Sequence, residues 1–150
     1  MKHAALTKEH PYCHTVQIVM SVLFLLVWLI DTIYNLTIIG SMPLLAVIFF
    51  VVGAYLVSKS HNTVFSPDRH GLVSSGVYAW VRHPMYLGTL LFFLGLLFIN
   101  FSLISLVVWL IFFLAYDRFA SYEEKELVKK IRKYKEYQKK VGKWVPRVGF

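Results

Sequence analysis

The stretch HGLVSSGVYAWVRHPMYLG, from His70 to Gly88, concentrates hydrogen-bonding and charged groups just before a long apolar run. His83 precedes Pro84, which biases it toward extended backbone, and proline is favoured at the first position of a helix, so a helix starts at Pro84. The free amide hydrogens of that helix end, flanked by Arg82 and His83, suit a carboxylate or phosphate group. Gly71, Gly76 and Gly88 permit close backbone approach, and Tyr78, Trp80 and Tyr86 offer ring faces to a planar or cationic ligand. Farther along lies SYEEKE, which on spacing alone is a helix cap, Ser121 capping and Glu124 three residues on. An interfacial aromatic belt with basic flanks accounts for Trp80 and Arg82 but not for the whole combination. Metal chemistry has little to work with. Cys13 is the single cysteine, and His10 and His14 are separated by Pro11 with no obvious carboxylate partner.

The elements that must position these groups are hydrophobic. The 150 residues are 57% hydrophobic and only 16% charged, the composition of an integral membrane protein. Apolar runs predict an all-α chain of about four transmembrane helices, near 16–39, 43–57, 84–99 and 103–117, read as one domain over 1–150. The segment from Pro84 to Tyr116 would rise about 50 Å as one helix, too long for a hydrocarbon core of about 30 Å, so a short hairpin turning at Asn100 to Ser102 is expected. The first run lacks a small-residue cleavage site and is read as a span. A tail over 121–146 places Leu127, Ile131, Tyr134, Tyr137 and Val141 at helical spacing, which predicts an amphipathic interfacial helix anchored by Trp144. No internal repeat is present.

Charge distribution fits four spans. Lys2 and Lys8 precede the first helix, Lys59, Arg69 and Arg82 lie between the second and third, and the remaining eleven of sixteen basic residues follow the fourth. All then fall on one side, which the positive-inside rule makes cytoplasmic: N-terminus, loop 70–88 and tail together. The +8 net charge is accounted for by topology and attraction to membrane lipids, and no nucleic-acid partner is needed. Asp31, inside the first span with Trp28, Thr32 and Asn35 on nearly one face, is either functional or close to the outer interface.

The loop resembles that of the isoprenylcysteine carboxyl methyltransferases, relatives of the phospholipid methyltransferases, which read roughly H-x-L-V-x-S-G-x-Y-x-W-x-R-H-P-x-Y-x-G. His70, Leu72, Val73, Ser75, Gly76, Tyr78, Trp80, Arg82, His83, Pro84, Tyr86 and Gly88 match. The resemblance runs from His70 to about Pro146. It implies S-adenosyl-L-methionine as cofactor, bound by His70, Gly71, Leu72, Val73, Tyr78, His83, Pro84, Met85 and Tyr86, with Glu123 and Glu124 toward the cofactor's ammonium group. It implies Arg118 or Arg82 as the catalytic group holding the carboxylate of a lipid-like or prenylated acceptor. The tail departs from the family's R-x-x-x-E-E-x-x-L pattern, since Arg118 stands five residues before Glu123; Glu123 is common to both possible registers. A carboxylate acceptor needs alignment and water exclusion but no general base. Two other readings stay open: a phospholipid N-methyltransferase, whose amine acceptor would need a base such as His70 or Glu124, and a non-enzymatic membrane scaffold, which would bind no cofactor.

Overall fold

The computed structural model describes residues 11–36, 38–64 and 71–147. Helix α1 spans Pro11–Tyr34, α2 Pro43–Val64, α3 Pro84–Ile99, α4 Leu103–Lys130 and α5 Tyr134–Lys140; strands β1 (Ile38–Gly40) and β2 (Phe101–Ser102) form one short antiparallel pair. Three helices, α1, α2 and α4, are long and apolar enough to cross a membrane, and α3 is a shorter apolar helix. Their outward faces carry exposed side chains such as Ile18, Ile33, Leu44 and Leu114. Such surface is stable only against lipid, so the chain is a multi-pass membrane protein.

Several boundaries differ from those expected. The first helix stops at Tyr34 rather than near 39, because Asn35 adopts a left-handed conformation (φ 50°) and Leu36 N donates back to Asp31 O at 3.4 Å. The residues beyond it pair as β1 with β2 at the turn between α3 and α4, and Met42 N donates to Phe98 O at 2.8 Å. The α1–α2 and α3–α4 connections therefore lie at the same end. Helix α2 continues past 57 to Val64, the hydroxyls of Ser60 and Thr63 each donating to a carbonyl one turn back.

The largest correction concerns the tail. No helix begins at Ser121: α4 runs unbroken from Leu103 to Lys130, about 42 Å, so its final turns project beyond a hydrocarbon core of about 30 Å. Ser121 lies mid-helix and donates to Asp117 O at 2.9 Å, which removes the capping reading of SYEEKE. Only seven residues of the expected interfacial helix, Tyr134–Lys140, are helical beyond that.

Packing is tightest between α2 and α3, where a Cβ at Gly53 would meet Gly88 O at 2.7 Å and one at Gly88 would meet Gly53 O at the same distance. Small residues let two membrane helices approach this closely. Phe24, Leu90, Phe93, Phe112 and Tyr116 form the core where α1, α3 and α4 meet. The indoles of Trp28 and Trp109 each donate to α3 carbonyls, Leu96 O and Leu90 O, at 3.0 Å. Asp31 is buried and accepts from Ser102 Oγ, the residue that caps α4 through Ser105 N. The buried acid thus ties α1 to the start of α4.

Candidate active site

Past the membrane core, α4 keeps the face that carries Tyr116 and Ala120 turned inward, and Glu124 is the next residue on it at spacing four. Its carboxylate gathers three side chains. Arg82 donates from Nε to Oε1 at 2.8 Å and from Nη2 to Oε2 at 3.3 Å; Gln138 Nε2 donates to Oε2 at 2.8 Å; His83 Nε2 lies 2.9 Å from Oε1. A carboxylate only accepts, so His83 carries its proton on Nε2 and turns Nδ1 toward Glu123, whose Oε2 is 3.8 Å away. Arg82 also donates from Nη1 to the carbonyls of Gln138 and Val141, at 2.9 and 3.1 Å. The guanidinium has five N–H groups, and four are committed.

Loop and tail reach this point by local devices. Gly76, at φ 61°, opens a short 3₁₀ turn over Gly76–Ala79 that a side-chain-bearing residue would strain. Val81 then pairs with Gly142, and Arg82 N donates to Gly142 O at 2.9 Å. A Cβ at Gly142 would fall 1.9 Å from Val145 O, so only glycine makes the reversal that follows. Tyr137 Oη donates to Tyr78 O at 2.6 Å. Burial, reinforced by nearby Tyr78 and Glu124 and opposed by Arg82, pushes the Tyr137 phenol up to about 12, so it stays a donor at all ordinary pH. Tyr134 beside it is pushed up as well, chiefly by burial. These two rings and Val141 form a second core beneath Leu72, Leu127, Val128 and Ile131.

The expected site residues divide. Arg82, His83 and Glu124 converge, and Pro84 is buried at the start of α3. Tyr86 stacks on His83 with ring centroids 5.6 Å apart. Leu72 and Val73 are half-buried, Gly71 is exposed at φ 84°, and Tyr78 contributes its carbonyl to the tail. Met85 is half-buried, its carbonyl accepting from Thr89 Oγ1 at 3.0 Å. The Glu123 side chain is 47% exposed and so open to a ligand. Arg118 is exposed and about a third of a turn round α4 from Glu124, away from the cluster. His70 lies outside the described residues. Two residues went unread in the sequence: Gln138, the one amide side chain in KEYQKK, and Asp117, which accepts from Trp144 Nε1 at 2.8 Å and pairs with Lys143. The Trp144 ring, expected at the interface, stands beside His83 and Phe113.

The donor set at the start of α3 can be matched to a ligand. The start of α3 carries the positive end of its helix dipole, and the Glu123 carboxylate stands beside the same His83. A positive end for an anion next to an acceptor for a cation is what an amino-acid zwitterion requires, so the methionine portion of S-adenosylmethionine fits.

Fold and site together define a multi-pass membrane protein with a loop-and-tail site carried beyond one end of its spans. Residues 35–136 match the family model described as phospholipid methyltransferase, and the chain belongs to that family. It is similar to two proteins named protein-S-isoprenylcysteine O-methyltransferase. The Schizosaccharomyces pombe protein is 35% identical across 65% of this chain and 47% of its own length; the Saccharomyces cerevisiae protein is 38% identical across 51% of this chain and 33% of its own. The resemblance carried by the loop motif is thus borne out, although the chain spans less than half the length of these relatives. No solved structure matches.

Proposed function

We propose that the chain is an S-adenosylmethionine-dependent methyltransferase that esterifies the carboxylate of a prenylated cysteine or similar lipid-like acceptor. The observation that carries this reading is the pairing of the Pro84 helix end with the half-exposed Glu123 carboxylate across His83. The positive end of α3 would take the cofactor's carboxylate, Glu123 its ammonium group, and the Gly71 to Val73 backbone with Tyr78 and Tyr86 its flat portion. Bound there, the cofactor supplies an electrophilic methyl group. Glu124 and Arg82 do not face either reactant in this account. They hold loop and tail together, so that His83 and the helix end keep one geometry and water is kept out. Because Arg82 is committed, Arg118 is the guanidinium with donors left for an acceptor carboxylate.

The lipid portion of the acceptor would lie in a cavity of about 470 Å³ between α2 and α3, walled by Gly53, Ala54, Val57 and Phe92, with Ser58, His61, Asn62 and Thr89 also lining it. Thr89 is five residues from Pro84, about 7.5 Å along the helix axis, so the cavity lies within reach of the helix end. Four crossings, with α3 the short one, would place the N-terminus, loop and tail on the cytoplasmic face. Exposed Lys129, Lys130, Arg132, Lys133, Lys135, Lys139 and Lys140 would then meet anionic headgroups.

A second reading, methylation of a phospholipid amine, draws on the family the chain belongs to. The two separate by pH. Titration with S-adenosylhomocysteine tests cofactor binding, and methyl transfer to a prenylcysteine analogue and to phosphatidylethanolamine across pH identifies the acceptor. A rate flat above the carboxylate pKa with the first supports esterification; a rising rate with the second alone replaces it by N-methylation.

A further inference from the structure

Trp144 has no part in the site described so far, yet its mounting is more elaborate than packing requires. Its Nε1 donates to Asp117 Oδ1 at 2.8 Å. The preceding side chain is tied to the same acid: Lys143 Nζ pairs with the Asp117 carboxylate and also donates to Asp117 O at 3.0 Å and Ser121 Oγ at 2.8 Å. Gly142 before it is docked to Arg82. Three consecutive residues are thereby fixed to α4 and the loop. The result is an indole 6.0 Å from the His83 ring, on an imidazole already stacked with Tyr86, which in turn meets Tyr116 edge-on at 5.2 Å. Trp144 is only half-buried, and one cation, Lys143 Nζ, already lies over its ring, 5.7 Å from the centroid.

The negative face of an indole attracts cations more strongly than any other side-chain ring. The reaction proposed above begins with one: a sulfonium. As the carbon–oxygen bond forms and the sulfur–carbon bond breaks, sulfur keeps the electron pair and leaves as a neutral thioether. We propose that Trp144 is a binding residue of this site, its ring set toward the cationic sulfur of the methyl donor, and that Asp117 is the residue that positions it. The wall then favours the donor and loses its hold on the product. The inference rests on the methyltransferase reading.

Calorimetric titration of the purified full chain with S-adenosylmethionine and with S-adenosylhomocysteine tests it through the ratio of the two affinities. Trp144→Leu is expected to lower that ratio by about threefold to tenfold in favour of the thioether, through weaker donor binding. Asp117→Ala should do the same by releasing the indole, whereas Asp117→Asn, which keeps an acceptor for Nε1, should retain most of the ratio. A merely structural role would weaken both ligands alike. A ratio unchanged in folded Trp144→Leu, or in Asp117→Ala should that variant alone fold, overturns the proposal and leaves the methyltransferase reading standing. Native protein that binds neither ligand overturns both.

Discussion

Arg82 and Glu124, forty-two residues apart, are ligands of each other: Nε to Oε1 is 2.8 Å, and both side chains are about nine-tenths buried. Each was expected to face a reactant. Their pairing instead joins the loop to α4, and Gln138 joins the tail to both. Removing one partner of such a buried pair typically costs about 3 to 5 kcal/mol, because the other charge is left uncompensated. Glu124→Ala and Arg82→Ala should each lower the unfolding midpoint strongly, while the double variant should cost less than the sum. Additive losses in this cycle would show that the two groups are not coupled.

Glu123 should behave in the opposite way. Its carboxylate is half-exposed and its removal leaves packing intact, so Glu123→Gln should spare stability and weaken S-adenosylmethionine binding by about 1 to 3 kcal/mol. Thermal unfolding and titration on the same preparation separate the two acids. A larger binding loss for Glu124→Gln than for Glu123→Gln, at equal stability, would reverse their roles.

The tail latch has a pH limit. The Tyr137 phenol titrates near 10 in an unfolded chain and is raised to about 12 here, so the folded state holds the proton more firmly. Stability from this group is fully present below pH about 10 and is lost as pH climbs toward 12. Tyr137→Phe should abolish that part of the alkaline loss and, by removing the hydrogen bond to Tyr78 O, lower stability by about 1 kcal/mol at neutral pH. Tyrosinate absorbance recorded with unfolding reads both.

Arg118→Lys should reduce turnover of a carboxylate acceptor several-fold with cofactor affinity nearly unchanged, since an ammonium cannot replace a bidentate guanidinium. The exposed position makes a folding defect an unsuitable explanation for any loss. Equal turnover by the two proteins would remove Arg118 from the reaction.

Topology can be read chemically. In a Cys13→Ala background, single cysteines at Lys2, Ser66 and Lys140 should react with an impermeant reagent from the same side. Opposite labelling of Ser66 and Lys140 would mean that α3 and α4 do not both cross.

Local chemistry made some of this legible. Pro43 and Pro84 mark helix starts, the turn at Asn100 to Ser102 is where the length limit requires it, and the Arg82–His83–Pro84 run marks the site. What misled was the change of polarity at Asp117. An apolar run that turns charged looks like a helix end, but here it marks only a change of polarity along one helix, whose span continues through it to Lys130. Trp144 and Gln138 were hidden for a different reason. Their partners, Asp117 and Glu124, are fourteen or more residues away, and no periodicity within the tail encodes a contact that depends on where another helix has ended.

Helix α4 is capped by Ser102, which is bonded to Asp31, and carries Glu124 twenty-two residues after that cap, about 33 Å away. With its far end pinned, the helix behaves as a lever whose fulcrum is the Asp31 contact. Spans tilt when the bilayer thins or thickens around them, and a change of about 5° at such a fulcrum moves the last turns by about 3 Å. That is as large as the hydrogen bonds that hold His83, Arg82 and Gln138 to Glu124. The geometry of the proposed site should therefore depend on the thickness of the membrane in which the protein sits.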